Sequence, residues 1–290
     1  MKHAFLIIAH KNCQQLIKLL RYLDHIDNEI FIHIDKKSKS ISKDKLADIC
    51  EKSKVHIYKE ISVYWGGDTL IECELLLMKN AQNTGHHDYY HLLSGMDLPI
   101  KRLKYIHEFF EINNGKEFIE LKEADPSTAF GKMIIRRVDL FHFNFFKSNH
   151  TLSDSVRKMF LIPQLVFHIH RVKRKTVFYG SEWFSISQKC IDYVIAHEEE
   201  IKETYKYTGC GDEVFLQSLI GNAPNGTFCM SENGNMRLVK WDGNINKSNP
   251  VILKSTDWKL IESSECLFAR KFDEKIDSEI IDRIYTSIGS

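Results

Sequence analysis

Several things are scarce in this chain. Only five of its 290 residues are proline, and no stretch gathers Pro, Gly and Ser into a linker, so nothing divides it in two. No internal repeat marks a solenoid or an array. No apolar run approaches the ~18 residues of a membrane-spanning helix; Ala4–Ala9 is too short even for a signal-peptide core and reads directly into a folded strand. The seven cysteines (13, 50, 73, 190, 210, 229 and 266) are odd in number and contain no Cys-x-x-Cys. That suits reduced, buried thiols in a cytosolic protein better than a disulfide framework. A net charge of +1 removes long-range steering, so any anion site must come from local clusters of Lys and Arg, and no nucleic acid is expected as a partner. Gly-x-Ser-x-Gly, Walker and dinucleotide fingerprints are absent. So is any Asp-x-Asp pair.

What is present is an alternation of strand and helix signals. Ala4–Ala9 is a continuous apolar run, the mark of a strand buried on both faces of a parallel sheet. Leu16, Leu19, Leu20 and Leu23 line one face of a helix predicted over Cys13–Leu23. Ile30–Asp35 is a second strand, and a strand–helix–strand unit of this length implies a right-handed crossover and parallel pairing. Further strands are expected at Val55–Tyr58, Tyr89–Leu93, Phe118–Leu121 and Met236–Trp241. Further helices are expected over Leu70–Ala81, Leu103–Phe110, Asp212–Ile220 and from about Ser278. The expected fold class is α/β, a Rossmann-like, mainly parallel central sheet flanked by helices, in one domain over 1–290. About 1–115 would be its nucleotide half and 116–290 its acceptor and catalytic half.

In an open α/β sheet, ligands bind in the loops after the carboxyl ends of the strands. His10-Lys-Asn12 follows the first strand and Asp35-Lys-Lys-Ser38 the second. An aspartate at the second place can accept from a ribose hydroxyl or a uracil N–H, or simply cap its own turn. Gly66-Gly67, after Trp65, lets a backbone approach a ligand, and Asp68 can cap the following helix. Glu213 opens a helix, where acidic residues are also favoured by the helix dipole; Asp212 is assigned the capping role. His87 and His91 have the spacing of a metal pair on a helix, but on a strand the two rings point apart.

Three separated stretches, His91-Leu-Leu-Ser-Gly-Met-Asp-Leu-Pro-Ile-Lys101, Gly180-Ser-Glu-Trp-Phe-Ser-Ile-Ser187 and Leu267-Phe-Ala-Arg-Lys-Phe-Asp273, together resemble the core-2/I-branching β-1,6-N-acetylglucosaminyltransferase family. This is glycosyltransferase family 14, which also contains the peptide O-xylosyltransferases. Order and spacing match from Ala4 to about Ile284. The resemblance implies a GT-A type fold and inverting transfer from a UDP-sugar, with UDP-N-acetylglucosamine and UDP-xylose leading. Gly-Ser-Glu-Trp-Phe leans toward the xylosyltransferase-like and bacterial members.

By the same resemblance, Glu213 in Gly211-Asp-Glu is the base that takes the acceptor proton, and Asp35 helps to hold the nucleotide. Asp97 stands where other enzymes of this general fold carry Asp-x-Asp; one carboxylate is a poor divalent-metal site, and the resemblance implies no cofactor and no required metal. Cations then neutralise the leaving diphosphate: Lys254, Arg270 and Lys271. His10, Gly66, Gly67 and Asp97 complete the expected donor site. Glu120, Arg136 (or Arg137), Glu182, Trp183 and Trp241 are the expected acceptor contacts, the indoles because a sugar's apolar face packs on them; both could equally be core aromatics.

The relatives with a membrane anchor and stem suggest, by contrast, a bacterial and cytoplasmic protein whose acceptor is a surface polysaccharide or its lipid-linked precursor. Residues 155–175 mix Phe160 and Phe167 with Arg157, Lys158, Arg171, Lys173, Arg174 and Lys175. They read as a peripheral contact at the inner face of the membrane, or as a buried helix with a solvated basic end. Two rival functions remain: a glycoside hydrolase, which needs two carboxylates facing one cleft, and a non-catalytic sugar-binding protein of the same fold.

Overall fold

The computed structural model describes every residue except 12, 42, 44–45, 47, 143–158, 168, 172–175, 244–248 and 290. Strand β1 (His3–Ala9) is buried along its whole length. It sits at the middle of a five-stranded sheet, parallel on one side to β2 (Asn28–Ile34) and on the other to β4 (Tyr89–Ser94). β3 (Lys54–Tyr58) continues the parallel run beyond β2. A short antiparallel strand, Ser185–Ser187, closes the other edge against β4.

The period-2 geometry of β1 explains its unbroken apolar sequence. Phe5, Ile7 and Ala9 enter one core with helix α1 (Cys13–Leu23) and the C-terminal helix Ser278–Ile288; Ala4, Leu6 and Ile8 enter a second core with α2 (Asp68–Thr84). Both faces are covered, so no alternation with polar residues is required. In α1 the buried leucines are those whose spacing predicts the helix.

A second sheet of three strands joins Arg237–Val239, Phe268–Arg270 and Asp97–Pro99, the first pair parallel and the second antiparallel. Arg237 ties the two sheets together. Its buried guanidinium donates to Ser185 Oγ (2.9 Å) and Phe184 O (2.6 Å) and stacks over Phe268. Burial in this setting pulls its pKa down to about 9.

The structure changes four of the expected elements. Phe118–Leu121 is no strand: Phe118 makes one isolated bridge to Ser185, and the ladder lies earlier, at Lys116–Glu117. The helix at 212–220 is two pieces, a 3-10 turn Gly211–Glu213 and a helix Phe215–Gly221. Met236–Trp241 shortens to Arg237–Val239; it starts one residue late because Met236 has φ 58°, outside the strand region. Asp68 is not a cap: Gly67 holds that position, and Asp68 lies in the first turn.

Much of the aromatic and basic stretch after 142 lies outside the described residues, including Arg157, Lys158 and 172–175. Within it, residues 159–166 are helical and mostly exposed. Met159, Ile162, Val166 and Phe167 are exposed, while Gln164 is buried. A buried helix is therefore not what forms there. Among the described residues, no helix is long and apolar enough to cross a membrane. The seven cysteines are all free.

Candidate active site

The cleft that carries the expected catalytic residue has a volume of about 290 Å³. Its floor is built from three chain segments that meet at glycines. Gly180 lies so close to the Glu120 backbone that a Cβ would stand 1.9 Å from the carbonyl oxygen, and its N–H donates to Glu213 O at 3.0 Å. Gly66, at φ 69°, accepts from Cys210 N and lies against the Cys210 thiol. These contacts bring the Trp65 loop and the 180–183 segment onto the Gly211–Glu213 turn.

Glu213 projects from that turn into the cleft. Arg137, on helix α4 (Ala129–Asp139; α3 is Leu103–Ile112), holds its Oε2 at 2.7 Å. Oε1 has no hydrogen-bond partner among the described residues. Arg136, the preferred acceptor contact in the sequence reading, is exposed and does not line the cleft. Adjacent helix positions differ by about 100° in direction, and Arg137 is the one turned toward Glu213.

Beside Glu213 lies a group of acids: Asp212 and Glu74 are buried, and Glu182 is half-buried in the cleft wall. Asp212 is not a cap: Cys210 holds that position, and the buried side chain of Asp212 lies against the carboxyl of Glu182. Burial raises the pKa of both, and each carboxylate's charge raises it further: that of Asp212 on Glu182, and that of Glu213 on Asp212. Arg270 opposes this on Glu182, from 3.3 Å. The two carboxyls therefore titrate together as a pair, above the ordinary carboxylate range. Glu74, on α2, is buried with neither oxygen bonded to another described residue; burial, then Glu182 and Asp212, raise its pKa strongly.

Arg270 differs from its expected role. Its guanidinium lies 3.9 Å from the Trp183 ring centre, 3.3 Å from Glu182 and, through Nε, 3.2 Å from Asp97 Oδ1, an ion-pair distance outside hydrogen-bonding geometry. Asp97 also accepts from Ser94 N (2.8 Å) and Ser94 Oγ (2.9 Å), so it braces its own turn. Trp183 is 5% exposed and lies under Arg270 rather than open to a ligand. Trp241 is 58% exposed at the rim, and Trp65 is 65% exposed. Glu120 reaches the cleft, but its carboxylate pairs with Lys122 and accepts from Ser181 N.

The neighbouring residue, Lys271, belongs to the other half of the site. Its ammonium has no hydrogen bond or ion pair among the described residues. Burial, then Arg270 and Lys11, holds its pKa below the usual lysine value. At the end of β1, His10 keeps an open surface, yet partial desolvation of its ring and the charges of Lys11 and Lys271 hold its pKa below the usual histidine value. Lys11 pairs with Asp273 at 2.7 Å. Asp35, at the end of β2, accepts from Lys37 N. Leu253 N donates to Lys271 O at 2.9 Å, which brings the exposed Lys254 alongside, although Lys254 does not line the cleft. His10, Asp35 and Lys271 thus gather at the carboxyl edge of the sheet. His87 and His91 do not pair: His87 bonds Glu29, and His91 bonds His3 and Ser185.

Residues 3–262 match the Core-2/I-Branching enzyme family. The chain belongs to that family, a family of glycosyltransferases. Among similar proteins, xylosyltransferase 2 of Rattus norvegicus is 24% identical over 303 residues, covering 96% of this chain and 33% of its own length. Xylosyltransferase 1 of the same organism is 23% identical, with 97% and 35% covered. The chain thus spans about a third of the length of the curated relatives it matches. The crystal structure of mouse xyloside xylosyltransferase 1, apo form, is 11% identical, with 93% of this chain and 97% of that chain covered at a TM-score of 0.40.

The sequence reading named His10, Asp35, Lys271 and Glu213 individually but not the pairing of Glu213 with Arg137. It also missed Glu74, whose position in α2 resembles that of any solvated helix glutamate. Period 3.6 gave the one available signal, since Glu74 shares a helix face with Ile71 and Met78, both buried.

Proposed function

We propose that the chain is an inverting, metal-independent glycosyltransferase of GT-A type that moves N-acetylglucosamine or xylose from a UDP-sugar to a glycan hydroxyl. The observation that carries this reading is the state of Glu213: one oxygen held by Arg137 and the other without a partner among the described residues, in an open cleft. Oε1 is the general base. It takes the acceptor proton as the bond from sugar to diphosphate breaks, with attack from the opposite face. Trp65 and Trp241 offer exposed indoles at the rim for the apolar faces of acceptor sugars. Lys271, with no competing partner among the described residues, stabilises the charge that grows on the diphosphate, and His10 and Asp35 lie beside it for the nucleotide.

A hydrolase would need a protonated carboxyl aimed at the leaving oxygen. Glu182 and Asp212, whose pKa values are raised by burial, line the same cleft as Glu213, so release of free sugar is the outcome that separates hydrolysis from transfer.

The acceptor is a surface glycan or its lipid-linked precursor, handled at the inner face of a bacterial membrane. Exposed Met159, Ile162, Val166 and Phe167 support peripheral contact there. The test is a calorimetric screen of UDP-sugars with and without EDTA, followed by mass-spectrometric detection of transfer to oligosaccharide acceptors. UDP-sugar binding and transfer that persist in EDTA are expected. A manganese or magnesium requirement restored on add-back would overturn the metal-free mechanism, and release of free sugar from glycans without a nucleotide would favour the hydrolase.

A further inference from the structure

The opposite edge of the main sheet holds a second cluster of chemically capable side chains. His25 and Asp27 lie in the connection between α1 and β2, and His107 lies on α3. One ligand atom from each stands within 4.8 Å of the others, in half-buried positions. We propose that His25, Asp27 and His107 bind a divalent transition ion of the zinc type, clamping α3 to the amino-terminal edge of the sheet.

The donor set suits such an ion: two imidazoles and one carboxylate, the ligands zinc accepts with bonds of about 2.0–2.2 Å. Magnesium and calcium prefer oxygen throughout. Neighbouring ligands of a tetrahedral ion stand about 3.3 Å apart at those bond lengths, so modest side-chain rotations close the site. A water or an external ligand fills the fourth position.

The surroundings are those of an oriented ligand shell. Asn28 Nδ2 donates to Leu23 O at 2.8 Å, which identifies Oδ1 as its acceptor atom. His107 Nε2 lies 2.9 Å from that Oδ1 and must therefore carry the proton, leaving Nδ1 with the lone pair a metal needs. His3 stacks flat against His107, with ring centres 4.5 Å apart and planes 5° from parallel, and fixes the ring's orientation. The backbone of the other two ligands is pinned as well. His25 N donates to Ser53 Oγ, His25 O accepts from Asn28 N, and Asp27 O accepts from His3 N, all within 3.0 Å. Asp24 anchors the same turn by accepting from three successive amides, Glu51, Lys52 and Ser53. One adjustment is required: His25 Nδ1 accepts from Asp27 N at 3.2 Å, a bond that zinc would replace if it used that nitrogen.

The site is remote from transfer chemistry. It precedes β2, whereas Asp35 follows it, and seven strand residues at about 3.3 Å each separate the two edges by roughly 20 Å. Its occupancy therefore changes stability, not the metal requirement of transfer.

The experiment titrates zinc, against a fluorescent chelator, into the full chain after EDTA treatment and removal of the EDTA. One equivalent is expected to bind and to raise the melting temperature. Cobalt in its place should give a four-coordinate spectrum without thiolate charge-transfer bands, which separates this site from the seven cysteines. Asp27→Asn and His25→Ala, both half-buried, should abolish the tight equivalent while keeping the metal-free melting temperature close to wild type. Asn28→Ala, which frees the His107 tautomer, should weaken zinc roughly 10–100-fold. Absence of binding, thiolate bands, or undiminished binding in both ligand variants would overturn the proposal.

Discussion

Arg270 lies over the Trp183 ring at 3.9 Å while its charge is shared between Glu182 and Asp97. The two adjacent basic residues of the last motif thus do different things. Arg270 and Asp97 face each other across the antiparallel ladder of the small sheet. That ladder fixes the turn after β4 against the catalytic cleft, and an arginine can hold two carboxylates and an indole at once where a lysine cannot.

Arg270→Ala should therefore act first on stability. It leaves Asp97, which is almost wholly buried, without its cation, and breaking a buried ion pair from one side costs about 3–5 kcal/mol. Chemical denaturation should report a loss of this order, with Arg270→Lys recovering little of it. A variant of wild-type stability with weakened UDP binding would return Arg270 to the diphosphate.

Glu213→Gln keeps the shape and an acceptor for Arg137 but removes the base. Transfer should fall roughly 10²–10⁴-fold, while calorimetry shows donor affinity close to wild type. A loss of only a few-fold would move the base to another carboxylate. Arg137→Ala should lower kcat by a smaller factor, since it releases the orientation of Glu213 without removing it.

The raised pKa values of Glu182 and Asp212 give stability a pH dependence of definite sign. Burial raises both carboxyls above their unfolded values near pH 4. The folded chain therefore binds more protons than the unfolded one above that pH, and the stabilisation, complete below it, is lost as pH rises through the folded values. Asp24 runs the other way: three amides outweigh its desolvation, and its contribution is lost as pH falls. Comparing wild type with Glu182→Gln from pH 5 to 8 isolates the pair. The variant should lose less stability on going to pH 8, and parallel curves would show that the pair is ionised throughout.

Where one physical rule dominated, the sequence was easy to read. β1 and α1 appear at or within a residue of their expected ends, because burial on two faces and burial on one face leave different patterns in the chain. The helix Ala129–Asp139 left a weak one. Its buried positions are Gly131, Ile134 and Val138, and its functional residue is one of two consecutive arginines. The Arg137–Glu213 contact spans 76 residues and has no local signature. Asp212 next to Glu213 looks like a helix-start acid, and only the packing around it makes it a buried group with a raised pKa. The tryptophans show the same limit: sequence marks Trp183 and Trp241 alike as sugar platforms or core, and the fold buries the first and exposes the second.

Lys271→Ala should weaken UDP and UDP-sugar binding together and lower the transfer rate further. Charge on the diphosphate grows as the sugar bond breaks, so a cation there stabilises the transition state more than the bound donor. Loss of one charge-assisted hydrogen bond costs about 1.5–3 kcal/mol, roughly ten- to a hundredfold. Lys271→Arg should recover part of it. A pH signature distinguishes this role from a general loss of fold. Burial and the nearby cations hold the free ammonium below the ordinary lysine value, and a bound diphosphate raises it again. UDP affinity should therefore decline as pH rises through the free value, with proton uptake on binding in that range, measured by calorimetry in buffers of different ionisation enthalpy. Lys271→Ala should remove both the decline and the uptake. Unchanged UDP affinity in that variant, with the same pH profile as wild type, would place Lys271 outside the diphosphate site.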